Sequence, residues 1–141
     1  MFTYSIHAAK NFPLRKEASD IDIEMPDGTA DVDYLDALEQ GIYHALSAAQ
    51  PDLAIYLAGA DPYVGDRLGR LSLTKGGLQA RDRKVFELCR AASVPVAVAM
   101  AGGYSSDIAE TVEIHFSTVE TAANFWRAAQ RPSSFPAARQ I

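Results

Sequence analysis

Residues 53–59 read Leu53-Ala54-Ile55-Tyr56-Leu57-Ala58-Gly59, a continuous apolar run set between Pro51-Asp52 and a glycine. A strand covered on both faces needs no alternation of polar and apolar residues, so this run suits a buried strand of a parallel sheet. Residues 95–100, Pro95-Val96-Ala97-Val98-Ala99-Met100, repeat the pattern and lead into Gly102-Gly103. Between the two runs Leu78, Val85, Leu88 and Ala92 recur on one helical face, predicting a helix from Thr74 to about Ala92. Upstream, Leu35, Leu38, Ile42, Leu46 and Ala49 predict a helix over 32–49, with Asp31 or Asp33 as its N-cap and Pro51 as its stop. Strands that alternate with helices imply an α/β fold, a parallel sheet flanked by helices.

The ends extend this pattern. Met1 to Ile6 reads as a short strand that feeds a polar loop over His7 to Phe12, and Ile21, Ile23 and Met25 alternate with Asp22 and Glu24 in an extended segment. Pro26-Asp27-Gly28 is a turn. Ser106 is placed to cap a helix carrying Ile108 and Val112, and Ser117-Thr118-Val119-Glu120 has the spacing of a capping box opening a last helix through Trp126. These elements place one domain over residues 1–130, and the Pro-containing stretch from Arg131 to Ile141 reads as a loose tail.

At 141 residues the chain has room for one domain with a real core. Hydrophobic residues are 48% and charged ones 22%, which excludes a disordered or low-complexity chain. With 13 basic against 18 acidic residues the net charge is -5, so nucleic acid and anionic membrane are not expected partners. No apolar run approaches the roughly 18 residues of a membrane span, and Met1 to Lys10 lacks a signal-peptide layout, so a cytoplasmic location is expected. The only cysteine, Cys89, reads as a small buried apolar residue.

In an open parallel sheet, ligands sit beyond the carboxyl ends of the strands. That rule selects the loops His7 to Phe12, Gly59 to Gly69 and Ala101 to Asp107. Asp61 stands just past an apolar strand among small residues, where a carboxylate serves as metal ligand or general base, or else caps a turn. Gly102-Gly103 delivers Tyr104 to the same edge, where its phenol can donate to a developing oxyanion or simply pack. A helix N-terminus following Gly102-Gly103 also admits a phosphate-binding reading, although the other glycines of a dinucleotide fingerprint are missing. His7, His44 and His115 have no metal-binding spacing, and Asp66 with Arg67 reads as a loop ion pair.

Taken in order, Phe2-Thr3-Tyr4-Ser5-Ile6-His7, Asn11-Phe12-Pro13, Ser19-Asp20-Ile21-Asp22, Ala58-Gly59-Ala60-Asp61-Pro62, Gly65-Asp66-Arg67-Leu68-Gly69 and Gly102-Gly103-Tyr104 resemble a known family. They are similar to the C-terminal half of a zinc-dependent deacetylase of the histone deacetylase superfamily, in its bacterial or class IV-like branch. The resemblance runs from Met1 to about Ala123. It implies an arginase/deacetylase fold, with Asp61 as a zinc ligand and Tyr104 as the catalytic donor to the substrate carbonyl. It also implies that Phe12 and Leu68 line the substrate channel and its rim beside Gly102 and Gly103. Ser5 and the Ile6 carbonyl would belong to a potassium site. In the family Zn²⁺ polarises an amide carbonyl and activates a water while a histidine pair moves protons.

Two departures accompany the resemblance. Ala101 stands where the family has the first of three glycines before the tyrosine. The family's Asp-x-His pair, which supplies two further zinc ligands, and its histidine pair have no counterpart in these residues. Catalytic zinc needs about three protein ligands. The chain alone is therefore expected to bind zinc weakly and to hydrolyse nothing, and to work on acyl-lysine or a small amide only beside an N-terminal half. An unpaired sheet edge predicts self-association or pairing with such a half. The competing expectation is a non-catalytic α/β binding module that keeps the fold.

Overall fold

The computed structural model describes residues 1–13 and 15–130. Seven elements follow in order: β1 (Tyr4–Ala8), β2 (Ile21–Met25), α1 (Asp31–Ala49), β3 (Ala54–Ala58), α2 (Lys75–Ala91), β4 (Val96–Met100) and α3 (Ile108–Gln130). The strands form two parallel pairs, β1 with β2 from Tyr4 opposite Ile21 to Ala8 opposite Met25, and β3 with β4 from Ala54 opposite Val96 to Ala58 opposite Met100. Helices α1 and α2 pack together, and the core between them and the strands holds Ala8, Tyr34, Leu38, Ile42, Leu73, Leu78 and Val85. The alternation read from the sequence is present, as two strand pairs among the described residues.

Several boundaries differ from the reading of the sequence. The first strand starts at Tyr4 and continues through His7 and Ala8, because their backbone pairs with Glu24 and Met25. Helix α1 begins after Ala30, which makes no side-chain cap; Asp31 instead accepts the backbone N–H of Thr74 (2.9 Å) and its hydroxyl (2.7 Å), linking two helix starts. Thr74 caps α2 by accepting the Gly77 N–H at 2.9 Å. Ala92, expected inward, is exposed beyond the last turn. Cys89 is buried as expected, and burial pushes its thiol pKa up.

The two helices expected after residue 105 are one. Asp107 rather than Ser106 receives an N-terminal amide, that of Ala109 at 2.9 Å, and the helix runs through 117–120 without a break. The supposed capping residue Thr118 is fully buried, donating to the Asp82 carboxylate and to the Ile114 carbonyl. Thr111, Ile114, Thr118 and Thr121 form the inward stripe, while Ile108, Val112, Phe116, Val119 and Trp126 are each more than half exposed on the opposite side.

Among the described residues, the strands β3 and β4 are covered on one face only. Ile55 and Leu57 are 66% and 67% exposed and stand beside Ala97 and Ala99 on one open face, while Ala54, Tyr56 and Ala58 turn inward. The continuous apolar run thus has the composition of a buried strand with one side uncovered. The expected loose tail over 131–141 lies outside the described residues.

A buried ionic group joins α2, α3 and the end of β3. Arg81 and Asp82 are 3% and 1% exposed. The guanidinium donates to Asp82 through Nε (2.9 Å) and to the Gly59 carbonyl through Nη1 (2.6 Å). The Asp82 carboxylate also accepts the hydroxyls of Tyr56 and Thr118. Replacing Asp82 by Ala would leave a buried guanidinium without its counter-charge, a loss of about 3–5 kcal/mol. Urea denaturation of Asp82→Ala should show a stability loss of that size, whereas Arg83→Ala on the exposed face of α2 should change little.

Candidate functional site

Each strand pair is parallel, so the loops at the carboxyl ends of β3 and β4 lie side by side and carry Asp61 and Tyr104. The loop after β3 and the loop after β4 are fastened together. Ala60 N–H donates to the Gly102 carbonyl at 2.6 Å, Arg67 N–H to the Tyr104 carbonyl at 3.2 Å, and Asp66 forms an isolated antiparallel bridge with Ser105. Gly103 sits at φ 156°, a conformation that disfavours a side chain, and a Cβ there would press on Ala60 and Thr111.

Asp61 is half-buried in a nest of glycines. A Cβ on Gly59 would strike its carboxylate, a Cβ on Gly69 would strike its carbonyl, and a Cβ on Gly102 would come within 3.3 Å of Oδ1. Burial raises the Asp61 pKa above the ordinary carboxylate range. Its own backbone N–H lowers it, the Asp66 carboxylate adds to the rise, and Arg81 opposes it. Loss of solvation on burial disfavours the charged carboxylate, which is why the direction is upward.

Asp66 does not form the expected pair with Arg67. Its Oδ1 accepts the N–H groups of Leu68 (2.8 Å) and Gly69 (2.7 Å), and its Oδ2 accepts the N–H of Tyr104 at 2.5 Å. A short acidic side chain followed by a glycine three positions on favours this closure over a solvent-screened ion pair. Arg67 Nε instead donates to the Tyr104 carbonyl at 3.3 Å. Behind the turn, Glu110 accepts hydroxyls from Tyr63 and Ser105, each at 2.8 Å, and these bonds, that of Ser105 first, lower its pKa.

The side chains of Tyr104 and Leu68 are 57% and 65% exposed at this edge. Ser5 on β1 and Phe12 in the loop after it, with His7, Asn11, Lys16 and Asp22, line a pocket of about 250 Å³. Ile6 packs against the core and is not among the residues that line this pocket. His7 lies 3.7 Å from Asp22, His44 is exposed on α1 and His115 is half-buried on α3. Among the described residues no group of three His, Cys, Asp or Glu side chains is gathered for a metal, so Asp61 by itself does not amount to a zinc-binding set. Also among them, no helix is long and apolar enough to cross a membrane. Glu110 and the Arg81–Asp82 pair escape sequence reading, and Asp66 is read there with the wrong partner, because charges on a helix or loop ordinarily denote a solvated surface.

Two outcomes follow from this geometry. Asp66→Ala should speed amide exchange at Tyr104 and Leu68 and cost about 1–2 kcal/mol in urea denaturation, since three donors lose a charged acceptor. Because the folded chain binds the Asp61 proton more tightly than the unfolded one, this group's contribution to stability is full at low pH and is lost as pH rises through its elevated pKa. Asp61→Asn should therefore raise the urea midpoint at pH 7, with the gap to wild type closing as the pH falls through that pKa.

The histone deacetylase domain family matches residues 1–119. An uncharacterized protein of Picosynechococcus sp. is 44% identical over 115 residues, which are 82% of this chain and 38% of that protein. Histone deacetylase 2 of Arabidopsis thaliana is 36% identical over 90 residues, 64% of this chain and 23% of its own length. The chain thus spans well under half the length of these curated relatives. Among solved structures, the HD domain of HDA15 superposes with a TM-score of 0.62 at 23% identity, covering 93% of this chain and 38% of that one. Another histone deacetylase structure also gives 0.62, at 20% identity, over 88% of this chain and 22% of its own. These superpositions establish the fold, an α/β arrangement of the arginase/deacetylase type with parallel strands and flanking helices. The match over 1–119, most of the chain, places it in the histone deacetylase domain family.

Proposed function

We propose that this chain is the C-terminal part of a zinc-dependent deacetylase of the bacterial or class IV-like branch, hydrolysing an acyl-lysine or a similar small amide together with a complementary N-terminal half. The observation that carries the reading is the bracing of the Asp61 loop to the Tyr104 loop. Asp66 holds the Tyr104 amide, Gly102 holds the Ala60 amide, and glycines enclose Asp61. Asp61 supplies one carboxylate of the zinc site, and the remaining ligands come from the complement. Tyr104 donates its phenol to the substrate carbonyl as charge gathers on the oxygen. Gly102 and Gly103 let the acyl group approach the main chain, with Leu68 at the rim and Phe12 on a wall. Ser5 and the Ile6 carbonyl bind potassium in the assembled protein.

A complement also accounts for the uncovered apolar surface. The Ile55, Leu57, Ala97 and Ala99 face and the Ile108, Val112, Phe116, Val119 and Trp126 stripe are larger than scattered surface residues require. The N-terminal half, or a second copy in its absence, covers them. The net charge of -5 favours neither nucleic acid nor an anionic membrane as partner.

The test is a deacetylase and zinc-binding assay of this chain with and without the N-terminal part of the Picosynechococcus relative. The chain alone should show no turnover and weak zinc binding, and sedimentation should show it self-associating. Addition of the complement should give turnover that Asp61→Ala abolishes and Tyr104→Phe lowers by about 10²–10³. Turnover by the chain alone would overturn the dependence on a complement. A stable complex that takes up zinc but hydrolyses nothing would instead identify a non-catalytic module.

A further inference from the structure

The loop after β1 is organised by one lysine. Lys16 Nζ donates to three main-chain carbonyls of that loop, those of Ala9 (2.9 Å), Asn11 (2.9 Å) and Pro13 (3.3 Å). An ammonium has three N–H donors and no acceptor, so three carbonyls satisfy it completely. The same loop is pinned at its start by Ala9 N–H on the Met25 carbonyl (2.9 Å) and Asn11 N–H on the Ala8 carbonyl (3.1 Å). Beyond those two bonds, its path over 11–13 depends on the lysine.

The held carbonyls belong to both sequence neighbours of Phe12, whose ring is 91% exposed. An exposed aromatic has no packing to orient it, so its direction comes from its backbone. The lysine fixes that backbone on either side. A ring of inward-facing carbonyls is also the environment in which a monovalent cation exchanges its water shell for protein oxygens. The ammonium of Lys16 occupies that place as a tethered cation, held by carbonyls of Ala9, Asn11 and Pro13 and not by Ser5 or Ile6.

We propose that Lys16 is a positioning residue, a built-in monovalent cation whose carbonyl cage sets the direction in which Phe12 is presented, and that the cage accepts a free alkylammonium when the side chain is cut back. The cage stands on the hydrogen bonds alone, while its bearing on a substrate channel rests on the functional reading given above.

The experiment is amide exchange by NMR on the full chain, comparing wild type with Lys16→Ala and Lys16→Met. Exchange at Asn11 should accelerate on the order of tenfold in both variants, as expected when charge-assisted bonds are lost, with Leu38 and Ile42 in α1 unchanged. n-Propylammonium, which replaces the atoms removed in Lys16→Ala, should restore slow exchange in that variant. It should not do so in Lys16→Met, whose side chain fills the space. Tetramethylammonium at the same ionic strength has no N–H and should restore neither. If Lys16→Ala loosens α1 as well, Lys16→Met, which keeps an apolar stem of similar length, decides the matter. Unchanged exchange at Asn11, or equal rescue by tetramethylammonium, would overturn the cage. In the complemented enzyme, Lys16→Met should raise KM with little change in kcat. An unaltered KM alongside a confirmed cage would remove Phe12 from the channel and leave the lysine's structural role standing.

Discussion

The Arg81 guanidinium, buried against Asp82 and aimed at the Gly59 carbonyl, is the constraint on which this molecule turns. Gly59 ends β3 and lies two residues before Asp61, so α2 grips the main chain from which that carboxylate projects. Tyr56 on β3 and Thr118 on α3 complete the acceptor needs of Asp82, which draws three elements onto one ion pair. Buried pairs seldom add net stability over an apolar replacement, but they define geometry sharply because any other arrangement strands a charge. Here the geometry being defined is that of the strand end carrying Asp61.

A division of labour follows. The Arg81 group holds the Asp61 loop from below, and Asp66 closes it from the side by taking the amides of Leu68, Gly69 and Tyr104. The two carboxylates thus do opposite work. Asp66 is saturated by donors, while Asp61 is enclosed by glycines with burial raising its pKa. Asp61 thus sits at the end of a braced loop with fewer donors than Asp66 and a raised proton affinity, which costs local stability at neutral pH. Phe12 is served separately, through the carbonyls of its neighbours.

The architecture was legible where physics is local. The apolar runs at 53–58 and 95–100, the helical spacing of Leu35 to Ala49 and the turn at Pro26-Gly28 each depend on neighbouring residues, and each is present with element boundaries shifted by at most one position. Reading failed where a long-range partner took over a residue that had a local alternative. Asp31 left the cap of α1 for Thr74, and Thr118 left a capping box for Asp82, so two expected helices became one. The motif residues Asp61, Gly102 and Tyr104 were identifiable by order and resemblance. Asp66 stood in one of those motifs but was read with the wrong partner, and Lys16 and Arg81 were not singled out, since an ammonium in a carbonyl ring and a buried guanidinium look like surface charge until the chain is folded.

The outward side of β3 and β4 has a bearing on how much of this protein a cell can keep. Ile55 and Leu57, set beside Ala97 and Ala99, form the sort of adhesive surface that holding chaperones grip and that quality-control proteases survey. A copy left bare is drawn toward those fates, whereas a covered copy escapes them by mass action. Any molecule that binds that side would raise the standing amount of the chain, a coupling of abundance that needs no dedicated regulator.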